Sequence, residues 1–351
     1  MNPVPDNSVK ASNGVQVSGV RASGPLLEVE DLRVAFAVGG REIRAVDGVS
    51  YRVEAGRTLA IIGESGSGKT VGCRAIMGLL PRGTEVSGSA RLRGSELIGL
   101  SDAQLRKYRG SDMAMVFQDP ARSLNPTMRV GSQITEAIRT HRKVSRTDAG
   151  NQAVELLRLV RIPAAERRFH EYPHQLSGGM RQRVVIAMAL ACRPKLLIAD
   201  EATTALDVTT QAQIMELLLE LQQELDMALI FISHDLGLAA SYADEVVVMY
   251  AGKIVEQAPA SRLFGAGGTV RMRYTRALLD AIPHLDRAAH TELPVVSGRP
   301  PDPAMLPPGC SFAPRCPAAA DDCRAKEPTL TEHTPGHRWA CWHPCENGGA
   351  A

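Results

Sequence analysis

The sequence predicts an α/β protein built around a phosphate-binding loop, and three observations predict it. Leu59-Ala60-Ile61-Ile62 is an apolar run that leads through Gly63-Glu64-Ser65-Gly66-Ser67-Gly68-Lys69-Thr70 into a helical pattern at Arg74, Ala75, Met77 and Leu79. Leu196-Leu197-Ile198-Ala199 is a second continuous apolar run, suited to a strand buried on both faces of a parallel sheet. Strand and helix patterns alternate around these runs, which argues for an α/β core.

The loop from Gly63 to Thr70 sits between strand and helix, the context that phosphate binding requires. Its glycines let the backbone curl until N–H groups converge on phosphate oxygens. The helix that follows adds the positive end of its dipole. In such a loop Lys69 reaches the β- and γ-phosphates, and the Thr70 hydroxyl binds Mg²⁺. The strand at 196–199 ends in Asp200-Glu201. Asp200 fits the carboxylate that holds hydrated Mg²⁺. Glu201 fits the one that orients and deprotonates an attacking water. Two adjacent acids at a strand end are often only a solvated turn, but this strand aims them at the site of Lys69.

The remaining elements follow in order. Residues 1–24 are rich in Ser, Gly, Asn, Val and Pro without a stable period and read as a loose tail. Leu26 to Phe36 and Ile43 to Val53 read as paired strands joined at Gly39-Gly40. Phe36 is either core or a platform for an adenine ring, and it counts among the ATP-binding candidates. Gly88 to Leu97 reads as a short strand pair. Met113 to Phe117 reads as a buried strand ending at Gln118. From Asp119 to about Gln175 the texture turns helical, with Ala153, Leu156, Leu157 and Val160 at helical spacing. Leu176-Ser177-Gly178-Gly179-Met180-Arg181-Gln182 opens another helix, a second anion-binding helix start. Ile214 to Leu225 marks an amphipathic helix, Ala228 to Ile232 and Val246 to Tyr250 further strands, and Ala251-Gly252-Lys253 a hairpin turn. Beyond about Ile282 the chain becomes proline-rich and periodicity fades.

Composition sets the bounds on function. Lys+Arg 40 against Asp+Glu 38 is near balance, so nucleic acid is not expected as the main partner. No apolar run is long enough to span a bilayer, and the N-terminus carries no basic-plus-apolar signal. We expect a cytosolic protein whose membrane role comes through a partner. Of seven cysteines, Cys73 and Cys192 fall in apolar helical patterns, while Cys310, Cys316, Cys323, Cys341 and Cys345 cluster near the end. In a cytosolic protein such clustering favours metal over disulfides, and the spacing alone leaves zinc open.

The order of phosphate loop, Ser-Gly-Gly turn and acidic pair resembles the ATP-binding cassette (ABC) subunits of membrane transporters, over about residues 25–265. The resemblance implies an antiparallel β subdomain, a RecA-like core, a helical subdomain at about 119–190 and a cysteine-rich extension at 266–351. It also implies that Ser177, Gly178, Gly179 and Gln182 close over ATP held by a facing subunit. Gln118 then senses Mg²⁺ and water and couples to membrane subunits. Asp207, in Ala205-Leu206-Asp207, links the two sites of a dimer, and His234, in Ile232-Ser233-His234-Asp235, contacts the γ-phosphate. Ala202 departs from the family, which commonly has proline after the acidic pair and so a stiffer turn.

Tyr172-Pro173-His174-Gln175, Gln118-Asp119-Pro120, Ser123-Leu124-Asn125-Pro126, Arg193-Pro194-Lys195 and the run from Pro308 to Pro317 resemble the oligopeptide and dipeptide importer branch. That branch implies two transmembrane permease subunits, a second ATPase subunit that is more often a different chain, and an extracytoplasmic solute-binding protein. Nickel, glutathione and antimicrobial-peptide importers share this ATPase type. The branch tips the cysteine question toward a [4Fe–4S] cluster on Cys310, Cys316, Cys323 and Cys341, with Cys345 spare. A soluble cassette ATPase of DNA repair or translation usually carries a coiled-coil insertion or a tandem cassette, and neither is visible. A regulatory iron–sulfur protein that merely retains the fold would not need Lys69, Asp200, Glu201 and His234.

Overall fold

The computed structural model describes residues 24–202, 207–265, 267–282 and 296–346. The expected tail at 1–24 lies almost wholly outside them. β1 (Leu27–Val38) and β2 (Arg41–Val53) pair antiparallel across Gly39-Gly40, as the alternation predicts. β3 (Thr58–Ile62) is buried at every position and feeds the glycine loop into α1 (Lys69–Ile76). β4 (Glu85–Leu92) returns beside β1, and β5 (Ser95–Glu96) completes a four-stranded sheet in the order β2-β1-β4-β5. After a short α2 (Asp102–Leu105), β6 (Met113–Val116) enters the second sheet. The strand stops one residue sooner than the sequence reading had it. Phe117 is exposed, with the Arg74 guanidinium 5.9 Å from its ring centroid.

Residues 119–190 are helical: α3 (Pro120–Ser123), α4 (Val130–His141), α5 (Arg146–Leu159), α6 (Ala165–Phe169) and α7 (Gly178–Ala189). Ile134 and Ile138 of α4 and Ala153 and Leu157 of α5 recur every three or four residues, so each helix buries one stripe. The chain then alternates through β7 (Leu196–Asp200), α8 (Val208–Leu225), β8 (Ala228–Ser233), α9 (Leu236–Tyr242), β9 (Glu245–Tyr250), β10 (Lys253–Pro259), α10 (Ala260–Phe264) and α11 (Arg273–Asp280). The last elements are α12 (Asp321–Ala325), β11 (Thr331–Thr334) and β12 (His337–Trp339).

The second sheet has the order β11-β12-β10-β9-β3-β8-β7-β6. β9, β3, β8, β7 and β6 run parallel, and β10, β12 and β11 add antiparallel at one side. Successive side chains of β3 point to opposite faces. Ala60 and Ile62 join the core formed with α5, α7 and α8, while Leu59 and Ile61 join the core under α1 and the four-stranded sheet. Burial on both faces explains the uninterrupted apolar runs of these strands.

The region after 296 departs from the sequence reading, which gave it no regular elements. β12 hydrogen-bonds to β10 and so extends the main sheet, and Phe312 is buried in the main core. The strand was hidden because Thr331–Trp339 is short and mostly polar, and pairs into a sheet edge supplied from far upstream.

Candidate functional site

β3, β8, β7 and β6 are parallel neighbours, so the segments that follow them emerge at one edge of the sheet. Ligands of open α/β sheets gather at that edge. Here it carries the glycine loop, Gln118, Asp200-Glu201 and His234.

The loop's path is fixed by backbone sterics. Gly63 (φ 154°) and Gly68 (φ 97°) occupy conformations that L side chains rarely adopt. A Cβ on Gly63 would lie 2.2 Å from the Met249 carbonyl oxygen, and one on Gly68 would lie 2.3 Å from that of Ala45. Both neighbours are backbone and cannot swing aside. Lys69 is buried, and its ammonium donates to the carbonyl oxygens of Gly63 (2.7 Å) and Glu64 (2.8 Å) and to Ser67 Oγ (3.4 Å). Burial lowers its pKa, opposed by the negative charges of Glu201, Asp200 and Glu64. Ser65 and Gly66 lie on the open side of the loop, and nothing comes within 4 Å of a Cβ built on Gly66.

Thr70 Oγ1, in the first turn of α1, donates to Asp200 Oδ1 at 2.5 Å. Asp200 is the last residue of β7 and is buried, which raises its carboxyl pKa against the pull of Thr70, Arg74 and Lys69. Glu201 turns away from the strand at φ 45°, unusual for a residue with a side chain, and its N–H donates to the Ile232 carbonyl oxygen (3.2 Å). Gln118 Nε2 donates to Glu201 Oε2 at 2.8 Å. Lys69, Thr70, Asp200, Glu201 and Gln118 thus form one polar cluster at the loop. The donor set fits Mg²⁺ and ATP: backbone N–H groups and an ammonium for phosphate, and a hydroxyl touching a carboxylate for a hard cation.

The other expected residues take no part in these hydrogen bonds. His234 is exposed just past β8 and makes no hydrogen bond or ion pair with a described residue. Ser177 N-caps α7 through the Met180 N–H (3.3 Å), with Ser177 and Gly178 exposed, Gly179 half-buried and Gln182 buried inside the helix. An exposed capped helix start is available to a second molecule, whereas Gln182 is not. Asp207 N-caps α8, accepting from Thr210 N–H (3.0 Å) and Oγ1 (2.8 Å), and these bonds lower its pKa. Ala205 and Leu206 lie outside the described residues. Phe36 is half-buried against the core beneath the four-stranded sheet.

Cys310, Cys316, Cys323 and Cys341 line one small pocket, together with Phe312 and Met272. Cys345 does not line it; its backbone is bonded to Arg271 instead. Burial raises the thiol pKa of Cys310, and that of Cys341 to about 11. Among the described residues the ligand group whose atoms lie within 4.8 Å of one another is Asp322, Cys323 and His343; no three cysteines are that close.

Sequence reasoning missed Arg315 and Tyr274. The Arg315 guanidinium donates to both carboxylate oxygens of Glu64 (2.6 and 2.9 Å), and Tyr274 OH accepts from the Glu64 N–H (2.9 Å). Neither has a local signal, because each partner lies more than two hundred positions away.

The ABC transporter family profile matches residues 46–204, and the profile of the oligopeptide/dipeptide transporter C-terminal region matches 255–323. The chain is 49% identical over 318 residues to an oligopeptide transport ATP-binding protein, OppD, of Mycobacterium bovis, covering 90% of this chain and 52% of that one. It thus spans about half the length of that mycobacterial relative. It is also 49% identical to a probable peptide ABC transporter ATP-binding protein, y4tR, of Sinorhizobium fredii, covering 92% of this chain and 96% of that one. A solved dimeric ATP-binding cassette, MJ0796, bound to ADP and Pi after hydrolysis, aligns with TM-score 0.60 at 27% identity, covering 67% of this chain and 98% of that one.

Proposed function

The chain belongs to the ATP-binding cassette transporter ATPases of the oligopeptide/dipeptide type, and from that premise we propose that it hydrolyses ATP to power import of oligopeptides or dipeptides through a membrane permease. The observation that carries the proposal is the single cluster of Lys69, Thr70, Asp200, Glu201 and Gln118 at the glycine loop. Lys69 and the loop N–H groups bind the phosphates and take up their charge. Thr70 and Asp200 hold Mg²⁺, which supplies further charge neutralisation when bound. Glu201 accepts the proton of the attacking water, and Gln118 holds the Glu201 carboxylate in place. His234, exposed at the same edge, donates to the γ-phosphate. The Ser177-Gly178-Gly179 helix start, exposed at Ser177 and Gly178, completes the ATP site of a facing cassette. That cassette is a related, different chain. Two permease subunits and an extracytoplasmic solute-binding protein complete the complex, on the cytoplasmic face of the membrane. No helix among the described residues is long and apolar enough to cross a membrane.

The test is ATP hydrolysis by the assembled complex, with the bound solute identified by mass spectrometry. Steady hydrolysis stimulated by peptide is the expected result. Hydrolysis with nickel or glutathione as the bound solute would keep the ATPase and replace the substrate. Residues 119–130, where Asp119 caps α3, dock the permease. Cysteine crosslinks from this stretch to the permease are expected, and crosslinks from distant faces alone would refute that docking.

The cysteine tetrad holds a structural [4Fe–4S] cluster. The four cysteine side chains line one pocket. They stand too far apart for one tetrahedral zinc, whose Zn–S bonds of about 2.3 Å need sulfurs within about 4 Å of each other. Anaerobically purified protein is expected to be brown, with about four irons per chain. Stoichiometric zinc without iron would overturn the cluster and leave the ATPase reading intact.

A further inference from the structure

Glu64 is the second residue of the phosphate loop, and it is held at three points. Its carbonyl oxygen accepts from Lys69 Nζ, its N–H donates to Tyr274 OH, and its carboxylate receives a two-pronged bond from Arg315. Two of the three anchors come from beyond the parallel sheet. Tyr274 is fully buried in α11, and the Arg315 side chain is only 3% exposed.

Arg315 is itself fixed. Its Nε donates to the Ser297 carbonyl oxygen (2.8 Å), and Nη2 to that of Val296 (3.3 Å). Nη1 donates to Tyr250 OH (3.3 Å), and the guanidinium lies about 6 Å from the ring centroids of Tyr250 and Phe312. Tyr250, Tyr274 and Phe312 pack on one another with centroids 4.5 to 5.4 Å apart. A planar fork held this way matches a carboxylate in a fashion that a lysine cannot.

A free carboxylate here would harm ATP binding twice. It would repel the phosphates, and it would compete with them for the Lys69 ammonium.

We propose that Arg315 is a positioning residue for ATP binding, which neutralises Glu64 and holds it away from Lys69 so that the phosphate loop stays open to phosphate. This rests on the ATP-binding reading above. Cys310 and Cys316 bracket Phe312 and Arg315, so whatever orders the tetrad also orders this clamp.

The test is equilibrium dialysis of the full chain with labelled Mg·ATP, together with KM and kcat for ATP in the assembled complex. Arg315→Met is expected to weaken ATP binding and raise KM by about tenfold, the scale of one lost charge-assisted pair, while kcat at saturation changes by less than about threefold. Adding Glu64→Gln to Arg315→Met is expected to recover most of that loss, because the unpaired charge is gone. A merely structural role would lower the fraction of active protein and leave KM unmoved. An Arg315→Met affinity within about twofold of the parent, or a double variant no tighter than the single, would overturn the proposal. If Arg315→Met does not fold, Arg315→Lys carries the same readout. It is expected to bind about threefold more weakly, since charge remains and the fork does not, and an unchanged affinity would overturn the proposal. A parent chain that fails to bind Mg·ATP would instead overturn the nucleotide reading.

Discussion

The phosphate loop and the segment after residue 296 both lack a core of their own, and they acquire shape from opposite sources. The loop is eight consecutive residues whose path is dictated by glycines pressed against the Met249 and Ala45 carbonyls. The later segment is assembled from residues far apart in the chain: Phe312 in the main core, Trp339 against β10, and Arg315 on Glu64. Shape that comes from local sterics is repeated wherever the residues recur. Shape that comes from distant partners exists only in the finished fold.

The largest effect is expected at the acidic pair that ends β7 and faces the loop. Glu201→Gln is expected to cut ATP turnover of the complex by about 10²- to 10⁴-fold, the usual contribution of a general base. Bound ATP measured by dialysis should stay near the parent value, since Lys69, Thr70 and Asp200 remain. Turnover close to the parent would show that the chemistry lies elsewhere. Lys69→Ala should lose ATP binding itself, because no other side-chain ammonium hydrogen-bonds within the loop among the described residues.

The next effect belongs to the other region. Phe312→Ala removes a fully buried ring from contact with Tyr250 and Tyr274 and should cost about 3–5 kcal/mol in urea unfolding. A loss under about 1 kcal/mol would mean that the later segment is only draped on the core. The smallest effect is local again. Asp207→Ala removes the cap of α8 and should cost about 1 kcal/mol. A much larger loss in the isolated chain would show that Asp207 does more in the fold than cap a helix.

The same contrast governs what could be read in advance. The strands and helices of the α/β core were legible because burial on one or two faces writes a period into the chain. β3, β7 and β8 each carry an uninterrupted apolar run of four or five residues, and α5 repeats every three to four residues. The cluster of Lys69, Thr70, Asp200 and Glu201 was legible because parallel strands deliver their ends to one edge, whereas Gln118 was picked out by the family resemblance. β12 and Arg315 were not. A three-residue strand has no period, and an arginine between Pro314 and Cys316 gives no hint of a carboxylate 251 positions earlier. Phe117 misled for a related reason. It continues the apolar run of β6, but the strand ends before it and its ring meets Arg74 at the surface.

The ion pair between Glu64 and Arg315 also orders events during synthesis. A ribosome makes Glu64 251 residues before Arg315. At about 5–20 residues per second the interval is roughly ten to fifty seconds. Through that time the nascent chain carries a complete glycine loop whose glutamate has no guanidinium to hold it. The phosphate site therefore matures only after Arg315 has been made, and a chain cut short before Arg315 keeps the loop but never receives its clamp.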